Sequence, residues 1–116
     1  MQSSELADRV YSILKERALI NQPIFYGELY KMVGLDHGKV VDRSKGSELL
    51  ESANIISGED YMISSFAVSK EANGPYHGFY VLAEKWGRIK HGLTEQEKMV
   101  FWVEEMKRVH KKCNKL

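Results

Sequence analysis

The chain changes its hydrophobic period partway along, and that switch restricts its possible folds more than any other feature. Up to Ser57 the apolar residues recur at helical spacing, whereas Tyr61 to Val68 reads Tyr-Met-Ile-Ser-Ser-Phe-Ala-Val, a β-rich run closed by Lys70-Glu71-Ala72-Asn73-Gly74-Pro75. The Asn73-Gly74 step is a strong hairpin signal, because both residue types tolerate the positive φ that a tight turn needs. From Phe79 onward the helical spacing returns.

Three helices are predicted before the switch. Ser4 is placed to cap the first, over residues 5–18, in which Leu6, Val10, Ile13, Leu14 and Ala18 share one face. Asn21-Gln22-Pro23 ends it, since proline lacks an amide donor and biases its predecessor away from helical geometry. Ile24 and Phe25 form a short extended piece, and a second helix runs from Tyr26 to Val33, with Gly34 in the left-handed position that commonly stops a helix. Leu35 to Ser44, which contains Gly38, reads as a polar loop; the third helix then starts at Ser44 or Ser47, buries Leu49, Leu50, Ala53 and Ile56, and ends at Ser57-Gly58.

Two helices are predicted after it. Phe79, Leu82, Ala83 and Trp86 define the fourth. Thr94-Glu95-Gln96-Glu97 is a capping box, in which the hydroxyl and the carboxylate each satisfy an orphan backbone amide, and Met99, Trp102, Val103, Met106 and Cys113 continue an apolar stripe beyond it. Helix, short helix, helix, strand and turn is the order of a winged helix-turn-helix. The expected fold is therefore mainly α with a small β-hairpin: one domain over residues 1–116, with a winged-helix-like core over 1–80 and a C-terminal helical extension over 81–116.

With 116 residues, 43% apolar and 28% charged, the chain is large enough to bury one core without disulfides and too short for a multi-domain enzyme. Its apolar runs, Met99 to Val103 among the longest, are far below the roughly 20 residues a membrane helix needs, so a cytoplasmic protein with no membrane partner is expected. Residues 1–84 carry 8 Lys and Arg against 12 Asp and Glu, and residues 85–116 carry 9 against 4. The basic end complements the C-terminal dipole of the last helix, or presents a surface to phosphates.

Groups able to carry chemistry are sparse. His37, His77, His91 and His110 have neither i, i+4 spacing nor a cysteine or carboxylate partner in metal-ligand register, so neither a metal nor a cofactor is expected. Cys113, the one cysteine, falls on the packing stripe of the last helix and reads as a small half-buried thiol. No phosphate-binding glycine cluster and no Gly-x-Ser-x-Gly elbow occurs, and the expectation is a protein that is not an enzyme.

Two resemblances follow from motifs. Ile24-Phe25-Tyr26-Gly27-Glu28-Leu29 with Val33-Gly34, Arg43-Ser44-Lys45-Gly46-Ser47-Glu48-Leu49, and Val68 through Asn73-Gly74 to Gly78-Phe79-Tyr80 resemble, in order, the winged-helix domain of the DNA alkyltransferases and alkyltransferase-like proteins. That resemblance implies DNA binding, with Tyr26 at the position of a tyrosine that contacts the DNA backbone. It also places Arg43 where the family has an arginine that enters the base stack and replaces an extruded nucleotide. The family's reactive Pro-Cys-His-Arg, or Pro-Trp-His-Arg, is replaced here by Ser64-Ser65-Phe66-Ala67, so no alkyl group could be accepted. The Tyr26-Gly27-Glu28-Leu29 start, Gly78-Phe79-Tyr80 with Leu82-Ala83, and Phe101-Trp102-x-x-Glu105-x-x-Arg108-Val109 are similar to a family of small prokaryotic single-domain proteins of unknown function.

The expected DNA-contacting residues are Tyr26, Lys39, Arg43, Lys45, Ser47 and Tyr76, carried by the third helix, the loop before it and the wing. Four of them have a plainer reading: Tyr26 suits core packing at the start of a helix better than a DNA contact, Arg43 and Lys45 equally suit solvated surface charges, and Tyr76 suits a cover over the hairpin. Residues 36–51 also carry Asp36, Asp42, Glu48 and Glu51, an acidic excess that suits a protein partner or self-association through the amphipathic last helix.

Overall fold

The computed structural model describes residues 3–58 and 60–114. Among these, α1 spans Ser3–Leu19, β1 Ile24–Phe25, α2 Tyr26–Met32 and α3 Val40–Ser57; a 3₁₀ turn, Ile63–Phe66, leads into β2, Ala67–Val68, and α4 (His77–Lys85) and α5 (Glu95–Cys113) follow. The fold is mainly helical, as the periodicity predicts. No helix of the described residues is long and apolar enough to cross a membrane.

The predicted apolar faces are buried only in part: Ile56 of α3 and Met99 and Val103 of α5 stay exposed, and α5 buries Glu105 and Val109 instead. α1 turns Ala7, Val10, Ile13, Leu14 and Ala18 inward, and packs on α3, the 3₁₀ turn and α5. Leu29 and Tyr30 of α2, Leu49 and Ala53 of α3, and Ile63, Phe66 and Ala67 complete this core, which Val109 closes from α5. A second cluster, Met62, Phe79, Tyr80 and Ala83, lies beside it under Trp86, Phe101 and Trp102. Gly34, at φ 79°, ends α2 in the left-handed region as its position requires. The capping box of α5 is complete: Glu97 N–H donates to the Thr94 hydroxyl at 3.1 Å, and Thr94 N–H donates to the Glu97 carboxylate at 2.8 Å.

The β portion departs from expectation. Most of residues 61–68 is not a strand, because neighbouring side chains take its amides: Met62 N–H donates to the Glu105 carboxylate at 2.6 Å, and Ser64 N–H donates to Asn54 Oδ1 at 2.9 Å. What remains extended, β2, pairs with β1 in parallel, Ile24 opposite Ala67 and Phe25 opposite Val68. The predicted hairpin is reduced to one antiparallel bridge, Ser69 with Gly74, around a turn in which Asn73 takes φ 52°. Among the described residues a small two-stranded parallel sheet, not a two-stranded wing, stands beside the helices.

The start of α3 also differs. Asp36 organises the loop, its carboxylate accepting from Gly38 N–H at 2.9 Å and its own N–H donating to the Asp42 carboxylate at 2.8 Å. These local bonds let the helix begin at Val40, so Arg43, Lys45 and Ser47 belong to its first two turns rather than to a preceding loop or cap. Val40 and Val41, apolar by type, remain 71% and 77% exposed.

Candidate functional site

A cleft of about 250 Å³ opens between α3 and α4, and it gathers residues far apart in the chain. Tyr26, Tyr30 and Tyr76 form one wall; Leu50, Phe79, Val81 and Leu82 supply the apolar remainder. Ser47, Asn54 and Ser64 are its uncharged polar lining, and Glu51 and Lys85 also reach it, paired at 3.4 Å.

The aromatic wall is built from α2 and the segment before α4. Tyr26 packs with Tyr76 ring on ring, centroids 4.4 Å apart and planes 5° from parallel. Tyr76 N–H donates to the Tyr26 hydroxyl at 3.0 Å, so backbone and ring are tied to the same partner. His37 lies parallel to Tyr76 at 5.8 Å and edge-on to Tyr30 at 5.1 Å, extending the wall toward the loop before α3. Tyr26 is nearly buried, and that burial holds its hydroxyl well above the ordinary tyrosine range, the Tyr76 amide opposing the shift. Burial likewise raises Tyr30, against the opposing pulls of Ser47 as a hydrogen-bond partner and of the Arg43 charge. Both hydroxyls are neutral donors and acceptors across the physiological range.

The approach of α3 to this wall depends on Gly46. Any side chain there would overlap the Tyr30 ring, so the glycine permits contact between helix backbone and aromatic group that α2 and α3 share. At the deep end, Asn54 Nδ2 donates to the Ser64 hydroxyl at 2.7 Å while Ser64 N–H donates to Asn54 Oδ1 at 2.9 Å. Both residues are buried, and the pair retains the second Asn54 amide hydrogen and the Ser64 hydroxyl hydrogen as donors.

Of the six expected contact residues, Tyr26, Ser47 and Tyr76 line this one cleft. Arg43 is exposed and does not line the cleft; its guanidinium donates to the His37 carbonyl at 2.9 Å, and its charge acts on Tyr30 of the wall. Lys39 is the exposed residue just before α3. Lys45 falls elsewhere, in a groove between α1 and α3 beside Ser4, Ala7 and Asp8. Tyr26 is a structural wall more than a surface contact, since only 4% of it is exposed.

Charge around the cleft is mixed. Glu51 and Lys85 line it, Lys70 and Glu71 lie in a neighbouring groove on Tyr26, His37 and Tyr76, and Asp36, Lys39, Asp42 and Arg43 are carried by the loop before α3 and its first turn. Glu71 is held below the usual carboxylate range by its own backbone amide and by the Ser69 hydroxyl, with smaller contributions from His37 and Lys70.

The sequence reading did not single out Asn54, Ser64, Glu51 or Lys85 as site residues. Asn54 carried the one usable signal: an amide in the middle of a predicted apolar helix face calls for a buried partner. Among the described residues no cluster of His, Cys, Asp or Glu could hold a metal ion. Burial raises the Cys113 thiol, which is therefore not activated. No protein-family model, no curated protein and no solved structure matches this chain.

Proposed function

We propose that this chain is a non-enzymatic DNA-binding protein that docks through the first turns of α3 and the loop before it, and takes an unpaired base into the cleft between α3 and α4. The observation that carries this reading is the convergence of Tyr26, Ser47 and Tyr76 on one aromatic-walled cleft, with the exposed Arg43 one helical turn before Ser47 on α3. Stacked tyrosines offer a π-surface to any base, and buried donors at the deep end would satisfy an acceptor on its edge. The resemblance of Arg43-Ser44-Lys45-Gly46 to the alkyltransferase recognition helix supports the same role, with Arg43 filling the gap a displaced base leaves.

The mixed charge of the rim has a consequence for affinity. Non-specific binding scales with the number of phosphates neutralised, so intact duplex should bind weakly and a duplex with an unpaired base should bind better. Fluorescence anisotropy with both DNAs, at low and at near-physiological salt, tests this. Preference for the unpaired base, with about a tenfold loss in Arg43→Ala, is the expected outcome. Equal binding of the two DNAs, or an Arg43→Ala protein that binds like the parent, would overturn it.

A second reading has its own observation. Met99, Val100 and Val103 make an exposed apolar strip on α5, away from the cleft, which favours a protein partner or self-association there. Light scattering of the parent and of Val100→Glu distinguishes it: a monomer in both cases excludes self-association.

A further inference from the structure

α5 closes the main core through Val109, and it also grips the segment that builds the cleft at several points. The Trp102 indole N–H donates to the Ser65 carbonyl at 2.8 Å, one residue from Ser64 on the cleft lining. The Trp102 ring also covers Gly74, whose carbonyl accepts from Ser69 N–H at 2.8 Å and closes the turn that delivers Tyr76. Glu105, one helical turn further on, holds Met62 N–H at the start of the same segment. Trp102 therefore touches both ends of the stretch from Ser65 to Gly74, two residues before the amide that binds the Tyr26 hydroxyl.

We infer that α5 is a brace for the aromatic wall, and that Trp102 is the positioning residue through which it holds Tyr76 against Tyr26. The segment from Ser69 to Tyr76 has little regular structure of its own: one bridge ties its ends, and Lys70, Glu71, Ala72 and Asn73 are exposed. A loop of this kind takes its position from what packs against it: the Phe25 ring beside Lys70, Tyr26 and His37 against Tyr76, and, from α5, the Trp102 indole against Gly74. Anything that lifts α5 would release the turn and let Tyr76 leave its partner, opening the cleft from a surface that a ligand in the cleft does not touch. The effect on ligand binding rests on the cleft being the binding site; the coupling of Trp102 to Tyr76 does not.

Hydrogen exchange of the Tyr76 amide reads the coupling directly. Trp102→Phe removes the indole N–H and trims the cover over Gly74; Met106→Ala trims α5 where it packs on the main core instead, and is the control for general loosening of the helix. The inference expects Tyr76 exchange to rise about tenfold in Trp102→Phe, and by clearly less in Met106→Ala at equal or greater loss of global stability. Equal increases in both, or none in Trp102→Phe, would overturn it. Should Trp102→Phe fail to fold, Trp102→Tyr, which lengthens the same ring by a polar hydroxyl, is held to the same criterion. A double-mutant cycle with Tyr26→Phe adds a second arm: effects on Tyr76 exchange that simply add would also overturn the coupling. The same variants measured with DNA containing an unpaired base separate the two proposals, since failure of the parent to bind leaves the exchange result standing while removing the function.

Discussion

Tyr26 and Tyr76, fifty residues apart, are joined twice: their rings stack at 4.4 Å, and the backbone N–H of Tyr76 donates to the Tyr26 hydroxyl at 3.0 Å. The phenol thus serves as a backbone acceptor where no neighbouring strand or helix provides one. Tyr26→Phe keeps the ring and leaves that amide without its acceptor. It should lower stability by about 1–2 kcal/mol in urea unfolding and raise the exchange rate of the Tyr76 amide, whereas Tyr76→Phe should cost much less.

Glu105 is 1% exposed and carries three bonds: from Met62 N–H at 2.6 Å, from Arg88 at 2.9 Å and from Arg108 at 3.3 Å. Removing Glu105 leaves the Met62 amide and the largely buried Arg88 without their partner, a penalty that exceeds the worth of the pair itself, whereas Arg108 is half exposed and keeps its bond to the Asp60 carbonyl. Glu105→Ala should cost about 3–5 kcal/mol, measured by urea unfolding followed through Trp86 and Trp102 fluorescence. Glu105→Gln keeps an acceptor for Met62 N–H and should cost less.

At Gly46 two effects oppose each other. Alanine is the better helix former by about 1 kcal/mol, which would stabilise α3. Its methyl group, however, would overlap the ring of Tyr30, which is itself buried between Tyr26 and His37. The ring has to shift within a packed wall, so the clash should win, and Gly46→Ala should be net destabilising by about 1–3 kcal/mol with the cleft narrowed. A rise in melting temperature would show that Tyr30 yields freely.

The capping box gives a pH dependence with a definite sign. The Thr94 backbone amide and, secondarily, the Thr94 hydroxyl hold the Glu97 carboxyl below its ordinary range. A carboxylate depressed in the folded state contributes stability above its unfolded pKa and loses it as the pH falls through the folded value. Thermal melts from neutral to acid pH should therefore show an acid-side loss that is smaller in Glu97→Gln, whose amide does not titrate. Identical acid profiles for parent and variant would show that the cap contributes nothing.

Much of this molecule is local enough to be read from its residues. α1 and α5, the break at Pro23, the stop at Gly34 and the cap at Thr94 follow from periodicity and capping chemistry, because each depends on partners within a turn or two. The start of α3 was missed because Asp36 and Asp42 bond across the loop, and Val40 and Val41 are apolar residues left in solvent. Residues 61–68 read as a strand by composition, yet their amides go to Asn54 and Glu105, side chains that no period-two pattern reveals.

The candidate site divides in the same way. Residue types along the chain point to Tyr26, Lys39, Arg43, Lys45, Ser47 and Tyr76 as contact residues, and to neither metal nor thiolate chemistry. Tertiary structure alone decided that Tyr26 would be a wall, that Lys45 would face α1, and that Asn54 and Ser64 would meet at the deep end of a cleft. The reason is physical: helices are closed by hydrogen bonds between near neighbours, whereas this cleft is closed by contacts across tens of residues, whose geometry exists only once the core has packed.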